Sequence, residues 1–258
     1  MANIELFDTH VHLNSKRYGR DLEQVISRAT KAGVTKMAVV GFDEPSNKKA
    51  IELAERYDFI YAVVGIHPSD AKSATAASWP LLQKQLQHEK VVALGECGLD
   101  YYHDTTFNDI QHEVFKKQLA IAKQRQLPLV IHMRDSIADT YQILQNDGAN
   151  LRGVVHCYSG DVKMMHKFLE LGFYIGLDGP LTFQNAQSVH EIAKAVPIDR
   201  LVLETDAPYL TPQPYRGKRN EPAYLTYIAK QVAELRNMTY EAVCEITTAN
   251  ALKLYKIE

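Results

Sequence analysis

The sequence predicts a (β/α)8 barrel, and three observations lead to it. Eight short apolar segments rich in β-branched residues recur along the chain, a helix-spaced amphipathic stretch follows each, and the whole occupies 258 residues, the usual size of one such barrel. An open, doubly wound sheet is the architectural alternative.

The strand segments lie at 4–11, 36–42, 60–66, 91–95, 127–132, 153–156, 174–177 and 201–204. Most are apolar throughout rather than alternating, the pattern of parallel strands buried on both faces. Helices are expected at 21–32, 46–57, 79–88, 110–125, 137–146, 162–171, 186–195, 221–236 and 240–255. In the first of them Leu22, Val25, Ile26 and Ala29 share one face, with Gly33 at its end. A doubly wound sheet built for a dinucleotide would favour GxGxxG after its first strand. Here that strand runs instead into Asp8-Thr9-His10-Val11-His12. With no internal repeat, low-complexity tract or flexible linker, residues 1–258 read as one domain. The densest run of chain breakers, 208–222, reads as a long loop after the eighth strand.

Composition narrows the class. Hydrophobic residues make up 46% and charged residues 23%, with a net charge of −2, ordinary values for a globular protein. That balance argues against a surface coated for sequence-blind nucleic-acid binding, though not against a local basic patch. The three cysteines are odd in number and widely spaced, so no disulfide framework or zinc ribbon is expected, and a reducing cytoplasm fits best. Neither a signal peptide nor an apolar run of about 20 residues is visible.

The chemistry gathers at strand ends. His10 and His12, two apart in an extended chain, can aim at one point. The third strand ends in Gly65-Ile66-His67-Pro68, the fourth in Gly95-Glu96 and, further on, Asp100. The fifth ends in His132-Met133-Arg134-Asp135, the sixth in His156-Cys157, the eighth in Glu204-Thr205-Asp206. Each residue alone could be a hydrogen-bonded core histidine or a helix cap. Six strand ends with the same pattern converge on one face of a barrel. Collecting those groups without a cation would cost several kcal/mol. Imidazole with carboxylate suits Zn2+, Mn2+, Fe2+ or Co2+, and Mg2+ where carboxylate and water dominate. Cys97 and Cys157 each follow a proposed ligand, so in a strand both should point away and pack the core.

These stretches resemble the TatD family of metal-dependent deoxyribonucleases, in the amidohydrolase-like superfamily. The resemblance is carried by DTHVHL (8–13), GIHP (65–68), GECGLDYY (95–102), IHMRD (131–135), HCYSG (156–160), ETDAPYL (204–210) and RGKRNEP (216–222), in the family's order across nearly the whole chain. It implies a TIM-like barrel with one or two divalent metals, Mg2+ or Mn2+ first and Zn2+, Fe2+, Co2+ or Ni2+ as others. By position, His10, His12, Glu96 and Asp206 resemble the ligands of one metal. Glu96, His132 and His156 resemble those of a second, with Glu96 bridging. Departures are Val11 for a common Cys, Tyr158 for Phe, and His103 where Arg is common.

The activity this implies is phosphodiester hydrolysis in DNA, from 3′ ends of single strands, in the cytoplasm and without a membrane. Oligomeric state is left open, a monomer included. Asp206 is expected to ligate and to act as general base, and His67 to bind phosphate or transfer a proton. Arg216, Lys218 and Arg219 are expected at the DNA backbone. Tyr101 and Tyr102 could stack on bases or pack the loop, with packing expected for one of the two. Glu204 is expected to support a ligand rather than to be one. Three alternatives stand: the same centre acting on an ester or amide of a small molecule, on D-aminoacyl-tRNA, or a non-catalytic metal-binding barrel.

Overall fold

The computed structural model describes residues 4–102 and 104–258; the departure at His103 lies outside them. Eight parallel strands pair in chain order: β1 (Leu6–Val11), β2 (Val34–Val40), β3 (Ile60–Val64), β4 (Val91–Asp100), β5 (Leu129–Arg134), β6 (Gly153–Val155), β7 (Phe173–Leu177) and β8 (Leu201–Leu203). The two edges then meet. The Asp206 N–H donates to His10 O at 2.9 Å and the His12 N–H to Ala207 O at 2.8 Å. These bonds close the sheet into the predicted (β/α)8 barrel.

Nine helices of the described residues surround it: α1 (Leu22–Lys31), α2 (Glu44–Arg56), α3 (Ser78–Gln85), α4 (Asn108–Arg125), α5 (Ile137–Asp147), α6 (Val162–Glu170), α7 (Gln187–Ala195), α8 (Leu225–Arg236) and α9 (Tyr240–Tyr255). Local chemistry starts several of them. Asp43 and Ser46 form a reciprocal capping box on α2, Asp161 caps α6, and Thr239 caps α9, each satisfying an N–H that the first turn leaves open. α8 begins four residues later than the sequence pattern suggests. Glu221 turns out to be held by the Arg28 guanidinium, and residues Pro222–Tyr224 form a 3-10 turn before it.

Two hydrophobic layers result. Phe7, Val40, Val63, Ala93, Val130, Val154, Tyr174 and Val202, one from each strand, fill the barrel together with Leu254 and Tyr255 of α9. The residues between them, such as Val39, Leu94, Ile131 and Ile175, pack outward under the helices. The inside of the barrel is therefore a packed core, and only its C-terminal rim is left for polar groups.

Simple alternation from Phe7 would send His10 and His12 outward, and from Ala93 it would send Glu96 outward. The register shifts between Asp8 and Val11 on β1 and between Leu94 and Cys97 on β4. An irregularity of one residue reverses which side chains face in. β4 also continues past Glu96, pairing Gly98 with His132 and Asp100 with Arg134. The sequence pattern ended that strand at residue 95. Gly98 makes the extension possible: its φ is +141°, and a Cβ there would overlap the His132 carbonyl oxygen.

Candidate metal centre

His10, His12, Glu96, His132, His156 and Asp206 are brought together at the C-terminal rim, at the floor of a cavity of about 730 Å³. β1 supplies His10 and the residue just after it His12, β4 supplies Glu96, β5 His132, and the segments after β6 and β8 supply His156 and Asp206.

One group of donors crowds a single point. His10 Nε2 and His12 Nε2 are 3.2 Å apart. Asp206 Oδ1 lies 3.6 and 3.3 Å from them, and Glu96 Oε2 3.5 and 3.8 Å. Ligands at about 2.1 Å from one ion lie about 3 to 3.5 Å apart, close to these separations, so the residues suit a divalent cation. The other Glu96 oxygen, Oε1, lies 2.8 Å from His132 Nδ1 and 2.8 Å from His156 Nε2, which are 3.4 Å from each other. Glu96 thus turns one oxygen to each group.

Neighbours set which ring nitrogen is free. A carbonyl can only accept, so the His12 ring donates from Nδ1 to Val40 O at 2.9 Å, and its Nε2 presents a lone pair. His132 donates from Nε2 to Asp100 Oδ2 at 2.9 Å, which frees Nδ1. Beneath His156, the buried Glu204 carboxylate lies 3.6 Å from Nδ1 and accepts the Cys157 N–H, the supporting place expected for it. Gly176 leaves it room, since a Cβ there would lie 2.7 Å from Glu204 Oε2.

Electrostatics keeps both carboxylates of this set ionised. Burial raises the Glu96 carboxyl, but His156, His67 and His10 outweigh it and hold Glu96 well below the usual carboxylate range. Burial likewise opposes charge on Asp206, which His12 and His10 hold low. His10 is pushed down by burial and then by His156.

His67 stands apart from these donors. Its Nδ1 accepts the Ser69 N–H at 3.1 Å, so the proton of the neutral ring sits on Nε2, 3.6 Å from Glu96 Oε1. Burial, then the neighbouring His132, pushes its pKa down to about 3. His67, Asp100 and His132 form a third compact trio, but a ring that carries its proton on Nε2 offers a donor there and not a lone pair.

The chain matches the TatD-related DNase family model over residues 7–256. It belongs to that family. It is 48% identical to the metal-dependent hydrolase YabD of Bacillus subtilis, itself uncharacterised, over 98% of this chain and 99% of that one. It is 35% identical to YcfH of Escherichia coli K12, named in the same terms, over 98% and 96%. The crystal structure of YjjV, a TatD homologue from Escherichia coli K12, superposes with a TM-score of 0.93 at 29% identity, covering 99% of both chains. This TatD-family chain is a metal-dependent hydrolase, and its His, Glu and Asp groups are the candidates to hold the metal.

Several residues sit where motif reading did not put them. Cys157 is not in a strand: its φ is +46°, it lines the cavity, and it meets the buried Asp178 carboxyl. The left-handed turn after His156 swings it inward, which corrects its expected place in the core. Cys97 does pack in the core. Asp100, Asp178 and Asp8 went unassigned in the sequence; Asp8 accepts the Thr205 N–H at 2.9 Å, tying β1 to the chain after β8. For Asp100 the only available signal was its position four residues beyond Glu96. Of the two tyrosines, Tyr101 packs, bonded to His112 and Asp139, and Tyr102 is exposed. Arg216 and Lys218 are exposed on the loop. Arg219, expected at the DNA backbone with them, has both terminal nitrogens on Asp21, at 2.8 and 2.6 Å. No helix of the described residues is long and apolar enough to cross a membrane.

Proposed function

We propose that this protein is a deoxyribonuclease that hydrolyses phosphodiester bonds of single-stranded DNA from the 3′ end, acting as one catalytic domain. The observation that carries the reading is Glu96, whose two oxygens face two separate sets of imidazole donors. That arrangement suits two adjacent divalent cations, Mg2+ or Mn2+ by preference. Bound there, the cations would supply Lewis acidity, lowering the pKa of a water and neutralising phosphate charge.

The chain's own groups do the rest. Asp206 stands at the rim with Oδ1 toward His10 and His12, and it takes the proton of the attacking water as general base. His67 donates from Nε2–H to a phosphate oxygen or to the departing oxygen. Phe42, Met133, Tyr209 and Leu210 line the cavity and exclude bulk water from the reacting phosphate. Arg216 and Lys218 contact the DNA backbone, while Arg219 holds their loop against Asp21. Three free thiols suit a reducing cytoplasm.

The test is nucleotide release from single-stranded DNA labelled at its 3′ or its 5′ end. The protein is stripped of metal and then given Mg2+, Mn2+ or Zn2+, beside an Asp206→Asn control. Metal-dependent release from the 3′ end, lost in the control, is the expected result. Protein that binds metal yet releases nothing would sink the nuclease reading.

A further inference from the structure

Two arginine-on-tyrosine pairs border the cavity on opposite half-sites. Beside His12 and Asp206, Tyr209 lines the cavity with its ring 6.0 Å from that of His12. It is 44% exposed, and the Arg17 guanidinium lies 5.0 Å from its centroid. Beside His132 and Asp100, Arg134 lines the cavity and pairs in register with Asp100 across β4 and β5. Its guanidinium lies 3.6 Å from the centroid of Tyr102, which is 59% exposed.

Several surface arginines are already paired with carboxylates. Arg28, Arg56 and Arg219 each meet a carboxylate. Arg17 and Arg134 are exposed and meet none among the described residues. Their positive charge therefore remains available to an anion. Aromatic surface lies beside these charges: Tyr209 and Leu210, two of the four exposed large hydrophobics of the described residues, line the cavity, and Tyr102, a third, stacks on the lining residue Arg134. Both tyrosines sit on fixed backbone. Asn220 donates to Tyr209 O at 2.6 Å, the Arg219 guanidinium donates to Arg17 O at 2.7 Å, and Tyr102, two residues beyond β4, donates its N–H to Asp100 Oδ1 at 2.9 Å.

We propose that these two pairs are the grips for one unpaired nucleic-acid strand laid across Glu96. Each ring stacks on a base flanking the scissile phosphate, and each guanidinium meets the phosphate beside that base. The proposal rests on the nuclease reading above and specifies its substrate. Ring faces serve unstacked bases, which a duplex keeps hidden. A small ester would use neither cation and would not need a ring on each side of the centre.

The test is fluorescence anisotropy of the metal-loaded protein with a phosphorothioate single strand of about ten nucleotides, fluorescein-labelled at its 5′ end, a length that spans both platforms. Tyr102→Leu and Tyr209→Leu should each weaken binding by about fivefold to a hundredfold, and Tyr→Phe at either position should restore it. Arg17→Gln and Arg134→Gln should each reduce the slope of log affinity against log salt by about 0.7. Leu variants that bind the strand like wild type, or that weaken a duplex of the same sequence equally, overturn the proposal. If wild type binds through the platforms but releases no nucleotide with any metal, the nuclease reading fails and the strand grip stands. If wild type digests DNA while all four variants bind as it does, the grip fails alone.

Discussion

Asp100 Oδ2 lies 2.9 Å from His132 Nε2, on the ring edge opposite the nitrogen that faces Glu96. The bond holds a proton on Nε2 and leaves Nδ1 free to ligate. Asp100→Asn should therefore weaken metal binding at the Glu96–His132–His156 group by about 10- to 100-fold and spare the His10–His12–Asp206 group. Isothermal titration with Mn2+ should show one of two sites weakened. Two unaltered sites would contradict the role.

The ring of His67 is oriented by the Ser69 N–H, which leaves the proton of the neutral ring on Nε2. His67→Asn should lower kcat by about a hundredfold or more, the usual worth of a positioned proton donor. Bound metal, read by elemental analysis, should be unchanged. Loss of metal along with activity would make His67 a ligand instead.

Metal binds the folded chain and not the unfolded one, so its removal should lower the melting temperature. At a thousandfold excess over Kd the linkage is about 4 kcal/mol, which for a chain of this size is about 10 °C in Tm. Differential scanning calorimetry with and without EDTA checks this, and coincident transitions would argue against a centre built from these groups.

Arg219 and Asp21 join the loop after β8 to the segment before α1. Arg219→Ala should cost about 1 kcal/mol, the upper range for a partly exposed pair. The hydrogen bond from Arg219 holds the Asp21 carboxyl below its ordinary value against slight burial. A depressed folded-state pKa contributes stability that is complete above the unfolded value and is lost as pH falls through the folded one. The gap between wild type and variant in urea unfolding should be full at pH 7 and close in acid below the usual carboxylate range. A gap that widened in acid would refute the pairing.

Gly98 carries a φ of +141° with the His132 carbonyl where a Cβ would stand. Gly98→Ala should cost about 4 kcal/mol or more, combining strain with overlap against backbone. Urea unfolding measures it directly; a cost within the range of ordinary surface substitutions would mean that β4 can shift away from β5.

The barrel was legible in the chain because burial on both faces leaves near-continuous apolar runs, and the polar residues that end six of the strands announced the rim. His10, His12, Glu96, His132, His156 and Asp206 could be picked out for that reason. Their aim could not. Alternation places His10, His12 and Glu96 on the helix side, and only the register shifts on β1 and β4 turn them inward, since strand register is decided by the neighbouring strand. Asp100 joined the centre because β4 keeps pairing with β5 beyond Glu96, a contact between residues 32 apart in sequence. Cys157 entered the cavity because one residue adopts a left-handed backbone. The basic run at 216–219 looked uniform as sequence, yet Arg219 spends its guanidinium on Asp21, a partner 198 residues away. Composition and strand pattern by themselves determined the architecture and the inventory of chemical groups. Tertiary structure decided which groups meet and which nitrogen or oxygen each presents, because those depend on register and on hydrogen-bond partners far away in the chain.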